Sequence, residues 1–265
     1  MSATVQIDWQ GAPLDIEYAW VGADVSAHPI VVFLHEGLGS LAMWKDFPRQ
    51  FCAAHGLRGL VFSRYGYGNS TARPADERWG QDFMHRQAFE VLPALFAALG
   101  IERPWLFGHS DGGSIALLHA AHYPHQVGGV VAVAPHLFVE QVTITNIAAA
   151  RAAYLEDGLR ARLAQHHADV DSAFWGWNDI WLDPAFRDWN IERELDDIGC
   201  PLLAIQGEDD EYGTLEQVHA IGRIVPGAQV AVLAHCGHSP HRDQPAELSR
   251  IAGNFITSHT RNTSQ

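Results

Sequence analysis

The chain has 265 residues, 47% hydrophobic and 18% charged, enough apolar material for a sizeable core in one large domain or in a domain carrying an insertion. Its net charge of −14 argues against a nucleic-acid partner or an anionic membrane surface, and no apolar run reaches membrane-spanning length. Cys52, Cys200 and Cys236 are scattered and odd in number, which gives no disulfide framework and no metal spacing; with no basic-then-apolar leader at Met1-Ser2-Ala3-Thr4, the expectation is a cytoplasmic protein.

In chain order, residues 4–9 and 14–20 read as an antiparallel hairpin around Gly11-Ala12-Pro13. Residues 29–35 form a continuous β-branched run, the pattern of a strand covered on both faces, and lead into His35-Glu36-Gly37-Leu38-Gly39-Ser40. A helix is predicted over 41–55, a strand over 57–63 and a glycine turn over 64–70. Residues 79–99 are predicted as one amphipathic helix kinked at Pro93. A compact strand over 105–107, a helix over 114–122 and another buried strand over 127–134 follow. From about 136 to 195 the buried-strand pattern stops. This segment holds helical stretches, an Ala148-Ala149-Ala150 piece and the aromatic residues Phe174, Trp175, Trp177, Trp181, Phe186 and Trp189. Strand rhythm resumes at 201–206 and 228–233, with helices at 215–224 and 244–258 and a loose polar tail at 260–265. Strands alternating with helices imply a mostly parallel sheet flanked by helices on both faces.

Gly108-His109-Ser110-Asp111-Gly112 lies between a strand and a helix, the context that makes a G-x-S-x-G informative. A sharp turn there lifts Ser110 to the tip of the sheet, and the first turn of the following helix points unpaired N–H groups at any oxyanion formed beside it. At this point the chain resembles the α/β-hydrolase family, and the resemblance extends over essentially its whole length, weakest between 136 and 195. It implies a serine hydrolase with a core of residues 1–135 and 196–265 and a helical cap of 136–195.

The acid and histidine loops of that family resemble Gly207-Glu208-Asp209-Asp210 and Gly237-His238-Ser239-Pro240. The resemblance therefore makes Ser110 the nucleophile, His238 the base and Asp210 the acid. Glu208, Asp209 and Glu211 compete for the last role, and His235 and His241 for the base. The oxyanion amides would be those of Asp111 and Gly37. Here the chain departs from the family, whose usual His-Gly pair is His35-Glu36. Either Glu36 adopts a glycine-like backbone angle or the loop is rearranged. Its carboxylate either contacts substrate at the catalytic rim or points away in a pair holding the loop, with Arg64 as one partner. The turn at 64–70 also departs, with Ser63-Arg64 where the family begins on an acid. His136 is either a substrate contact or a hinge contact; His109 reads as structural and Cys236 as a packed, oxidation-prone thiol. Trp175, Trp177, Trp181 and Trp189 are either cap core or a lining for an apolar acyl group.

The implied chemistry is acyl transfer on a carboxylic ester or thioester of a small, aromatic-compatible acyl group, with no metal or organic cofactor. A carbon–carbon hydrolase of ring-cleavage products and a slow-turnover ligand receptor are the alternatives. The expected partner is a small-molecule substrate, with no nucleic acid or membrane, and homo-oligomerisation is left open.

Overall fold

The computed structural model describes residues 2–23 and 29–262. Eight strands form one sheet: β1 (Ala3–Trp9), β2 (Ala12–Gly22), β3 (Ile30–Leu34), β4 (Arg58–Phe62), β5 (Trp105–His109), β6 (Gly129–Val133), β7 (Leu202–Gly207) and β8 (Gln229–Leu233). Their spatial order is β1-β2-β4-β3-β5-β6-β7-β8. β1 and β2 form the expected hairpin, but Trp9 pairs directly with Ala12, so the turn is Gln10-Gly11 and Pro13 lies within β2. β2 runs antiparallel to β4, and β3 to β8 are parallel.

Period-two alternation sends neighbouring side chains to opposite faces. Val32 and Leu34 of β3 join one apolar core, whereas Val31 and Phe33 join the other. The first core is covered by α2 (Phe83–Arg86), α3 (Leu92–Leu99), α4 (Asp111–His122) and α8 (Glu216–Ile224); the second by α1 (Phe47–His55) and α10 (Pro245–Asn262). After β4 the chain crosses back over β3 to β5. The ends of β3 and β5 therefore flank the point where strand order reverses, the usual place for a ligand crevice in such sheets.

Three predicted boundaries need correction. The helix over 41–55 is a 3-10 turn at Ala42–Trp44 and then α1, because Lys45 takes a positive φ of 52° and stops the first segment. The single helix over 79–99 begins at Phe83 and opens into a π turn at Gln87–Val91 before α3. Pro93 has no N–H to give to the carbonyl of Phe89; that carbonyl instead accepts from Tyr123 Oη at 2.9 Å, and Ala88 O bonds His119 Nδ1 at 2.7 Å. At the far end, Thr260 continues α10 rather than starting a tail, and 263–265 lie outside the described residues.

Between β6 and β7 lie α5 (Gln141–Glu156), α6 (Leu159–Leu163), α7 (Val170–Leu182) and 3-10 turns at Pro184–Phe186 and Glu192–Asp197. Asp169 starts α7 by accepting the Ser172 amide at 2.9 Å. A bridge between Phe138 and Asn190 closes the base of this helical segment. His167 ties it to the sheet: its Nδ1 accepts the Gly68 amide and its Nε2 donates to Leu38 O, both at 3.0 Å.

Candidate active site

Ser110 sits between β5 and α4 with φ 54° and ψ −123°, a backbone region that non-glycine residues rarely occupy. The turn is possible because nothing projects from Gly112. A Cβ there would lie 2.2 Å from Leu34 O, against backbone that cannot move aside. Ser110 N donates to Val133 O at 2.9 Å, which fixes the elbow to β6.

His238, in the loop after β8, places Nε2 2.9 Å from Ser110 Oγ. Its Nδ1 lies 2.8 and 3.0 Å from the two carboxylate oxygens of Asp210, in the loop after β7. Asp210 also accepts the amides of Tyr212 at 2.8 Å and Gly213 at 3.2 Å and the Gln206 side chain at 3.1 Å. Burial alone would raise its carboxyl; His238 and the Tyr212 amide outweigh that and hold it below the usual range. The other carboxylates of the loop are elsewhere. Glu208 and Asp209 point outward, and Glu211 accepts the His238 backbone amide at 3.0 Å. Of the competing histidines, His235 is exposed. His241 is buried beside His109, with ring centroids 4.9 Å apart, and burial pushes it down to about 3. Cys236 is sealed from solvent, and burial pushes its thiol up to about 11, which makes it a poor oxidation target.

The amides of Asp111 and Gly37 make no hydrogen bond to any described residue. Asp111 opens α4. Gly37 is aimed through its neighbour: the Glu36 carbonyl accepts from His35 Nδ1 at 2.7 Å, Arg64 Nη2 at 2.9 Å and Gly39 N at 3.1 Å. In a trans peptide the N–H points opposite the C=O, so holding the Glu36 carbonyl against the sheet turns the Gly37 N–H outward. His35 completes the anchor by accepting the Arg64 amide on Nε2 at 2.9 Å. One nitrogen donates and the other accepts, which is the neutral ring, and burial holds His35 well below its ordinary value.

Glu36 is not among the positive-φ residues, so no glycine-like angle is needed. Its side chain does not pair with Arg64, as had been one expectation; it contacts Arg242 Nη2 at 3.3 Å and His109 Nδ1 at 3.5 Å. Burial would raise the Glu36 carboxyl, and the histidines His109, His241 and His35 outweigh it and hold it well below the usual range. His109 in turn bonds the His238 carbonyl through Nε2 at 2.7 Å.

These groups open onto a cavity of about 290 Å³. Glu36, Gly37, Ser110, Asp111, His136, Trp177, Trp181 and His238 all line it, and Ile147, Leu159 and Leu163 from the helical segment supply an aliphatic wall. Trp177 lies directly over Gly37: a Cβ at that glycine would be 2.1 Å from the indole Nε1. His136 Nδ1 has no hydrogen-bond partner among the described residues, and burial with His238 nearby pushes the ring down to about 3. Trp175 does not line the cavity. It borders a separate small dimple and lies under the Arg151 guanidinium at 5.2 Å. Trp189 stacks on Phe186 at 5.2 Å inside the helical segment. Among the described residues no group of three or more His, Cys, Asp or Glu is arranged to hold a metal ion, and no helix is long and apolar enough to cross a membrane.

Sequence reasoning missed the supports: His35, His167, Gln206 and the aliphatic wall. Gln206 carried a signal, a polar residue ending an otherwise apolar strand run. His35 stood at the family's His-Gly position, but its bond to the Arg64 amide joins residues far apart in sequence. His167 carried no signal, because both its partners are distant backbone groups.

The sequence model of the Alpha/beta hydrolase family matches residues 31–251. The chain is 24% identical over 262 residues to a 2-hydroxy-6-oxo-6-phenylhexa-2,4-dienoate hydrolase of Burkholderia cepacia, covering 88% of this chain and 89% of that protein. It is 26% identical over 205 residues to the human serine hydrolase BPHL, covering 72% of this chain and 66% of that one. The solved structure of proline iminopeptidase from Mycobacterium smegmatis has a similar fold, with a TM-score of 0.79 at 18% identity over 98% of this chain and 100% of the other.

Proposed function

The chain belongs to the alpha/beta hydrolase family, and from that premise we propose that it is a serine hydrolase acting on a carboxylic ester or thioester through an acyl-enzyme. The observation that carries this reading is the unbroken chain Ser110 Oγ, His238 Nε2, His238 Nδ1, Asp210, with contacts of 2.9 and 2.8 Å, at the floor of a cavity large enough for a small acyl group.

His238 takes the hydroxyl proton as Ser110 Oγ attacks the carbonyl carbon. Asp210 holds the ring with its proton on Nδ1 and stabilises the imidazolium. The carbonyl oxygen becomes an anion facing the amides of Gly37 and Asp111. As the tetrahedral intermediate collapses, the bond to the leaving group breaks and His238 Nε2 protonates the departing oxygen or sulfur. Water, deprotonated by the same nitrogen, then attacks the acyl carbon. As this second tetrahedral intermediate collapses, the bond to Ser110 Oγ breaks, His238 returns the proton to Oγ and the acid leaves. The segment 136–195 acts as a cap whose aliphatic and indole wall receives the apolar part of the substrate. The protein works in the cytoplasm on a small molecule.

A second reading, carbon–carbon cleavage of a ring-cleavage dienoate, is favoured by the name of the Burkholderia relative. Against it stands Ser239: carbon–carbon hydrolases of the family that the chain resembles usually carry a tryptophan directly after the histidine, and here the resemblance departs. A panel of acetyl and benzoyl esters, acyl thioesters and 2-hydroxy-6-oxo-dienoates decides between them. The ester reading expects steady turnover of esters or thioesters, with dienoates slower by orders of magnitude; the reverse ranking overturns it.

A further inference from the structure

Arg64 begins the glycine turn after β4 and is 1% exposed. Its guanidinium lies 4.6 Å over the Tyr67 ring, and neither its Nε nor its Nη1 has a hydrogen-bond partner among the described residues. Among the described residues Nη2 alone has a hydrogen-bond or ion-pair partner. It donates to Glu36 O at 2.9 Å and faces Asp111 Oδ2 at 3.8 Å. Burying a cation with so few partners is unfavourable for folding, and such groups persist where they serve a site.

Both contacts lead to the oxyanion hole. The first holds the Glu36 carbonyl and so aims the Gly37 amide. The second addresses a problem of charge that this sequence creates for itself. Asp111 supplies the other oxyanion amide, and its carboxylate, also 1% exposed, sits on the same residue. An uncompensated carboxylate there would repel the negative charge that the two amides are meant to stabilise, and in a dry site that repulsion is weakly screened.

We propose that Arg64 is the positioning residue of the oxyanion hole, orienting the Gly37 amide through the Glu36 carbonyl and neutralising the Asp111 carboxylate beside the oxyanion. The proposal rests on the reading of Gly37 and Asp111 as oxyanion donors. The family's turn begins on an acid at the position of Ser63, the residue before Arg64. The acidic role passes instead to Glu17 of β2, whose carboxylate accepts Ser63 Oγ at 2.7 Å and the Asn69 amide at 3.1 Å.

The test compares four proteins: wild type, Arg64→Met, Asp111→Asn and the double variant Arg64→Met/Asp111→Asn. Ester turnover and the rate of Ser110 phosphonylation by a fluorophosphonate are measured with thermal stability in parallel. Arg64→Met is expected to lower kcat by roughly 100-fold, the effect of losing about one oxyanion donor, with little change in KM. The double variant is expected to recover roughly ten-fold of that loss, because it no longer carries the unpaired carboxylate; a residue that only stabilised the fold would not give this pattern. Unchanged kcat in a folded Arg64→Met overturns the proposal, as does a loss that Asp111→Asn leaves untouched. Should Arg64→Met not fold alone, the double variant is compared with Asp111→Asn, which differs only at residue 64: a kcat at least about ten-fold lower supports the aiming of Gly37, and equal values overturn it. Absence of labelling and turnover in the wild type strikes the serine-hydrolase reading itself, whereas wild-type labelling with equal rates in the variants strikes Arg64 alone.

Discussion

The rim of the sheet and the helical segment over it face each other across one cavity, and they hold their residues by different means. On the rim, backbone geometry does the holding. Ser110 is forced into its strained angle by the elbow, the Gly37 amide is turned by its own peptide plane, and Asp210 is gripped by backbone amides. On the helical side, side chains pack against side chains. Trp181 meets His136 with ring centroids 5.0 Å apart, and Trp177 leans on the bare Cα of Gly37. On the proposed function, the chemistry rests on the part of the fold that can least shift, and the fit to substrate on the part that can repack.

The largest effects should come from the rim. Ser110→Ala and His238→Ala are each expected to lose roughly three or more orders of magnitude in kcat with the fold intact, because the three residues act as a unit. Asp210→Asn should lose somewhat less, whereas Asp209→Asn, outward-facing, should leave kcat near wild type. Steady-state kinetics on the four variants checks this, and the reverse behaviour of Asp209 and Asp210 would move the acid by one residue.

Two glycines sharpen the comparison. Gly112→Ala drives a methyl against the Leu34 carbonyl and should cost several kcal/mol, seen as a large drop in melting temperature or loss of folded protein. Gly37→Ala meets a side chain instead, the Trp177 indole. It should leave the protein folded, displace Trp177 and lower kcat about ten-fold or more. Equal stability losses in the two variants would erase the distinction between a rigid floor and a yielding wall.

The tryptophans test the wall itself. Trp177→Ala and Trp181→Ala should lower kcat/KM for benzoyl esters relative to acetyl esters by roughly ten-fold, since only the larger group reaches them. Trp189→Ala should destabilise by about 3–5 kcal/mol without changing that ratio. Trp175→Ala should change neither by much. A shifted ratio in Trp175→Ala, or unshifted ratios in both Trp177→Ala and Trp181→Ala, would contradict the assignment.

The same division explains what could be read from the sequence. Each rim residue lies in a short motif after a strand, buried before Ser110 and Asp210 and a largely exposed edge strand before His238, so all three candidates could be located once the strands were. The helical segment offered only an aromatic composition. Its four tryptophans, so alike in sequence, separate into Trp177 and Trp181 on the cavity, Trp189 in the interior and Trp175 outside, because that depends on helix phase and on which partner arrives from the sheet. The break in the helix expected over 79–99 has a related cause: Tyr123 and His119, supplied from the end of α4, are what make a π turn before Pro93 tolerable.

A smaller effect should appear in stability against pH. Burial holds His119 down to about 4 and His136 and His241 to about 3, and His35 and His167 also lie below their ordinary value. The unfolded chain takes up these protons as pH falls through about 6.5 and the folded chain does not, so stability is full above that value and is lost toward the folded values. Asp111, raised to about 6 by burial against the opposing pull of Arg64, acts in the other direction and adds stability as pH falls from about 6 toward roughly 3.9. Five groups against one predict a melting temperature lower by a few degrees at pH 5.5 than at pH 7.5. His136→Asn and His167→Asn, at the seam between sheet and helices, should flatten that slope. A melting temperature that rises over the same interval would contradict the neutral state of these histidines.

The most direct test of the account is to treat the protein with a fluorophosphonate and map the adduct by mass spectrometry. The account predicts one adduct on Ser110 in the wild type, slowed by orders of magnitude in His238→Ala and absent in Ser110→Ala. Modification of another residue, or labelling that survives Ser110→Ala, would contradict it.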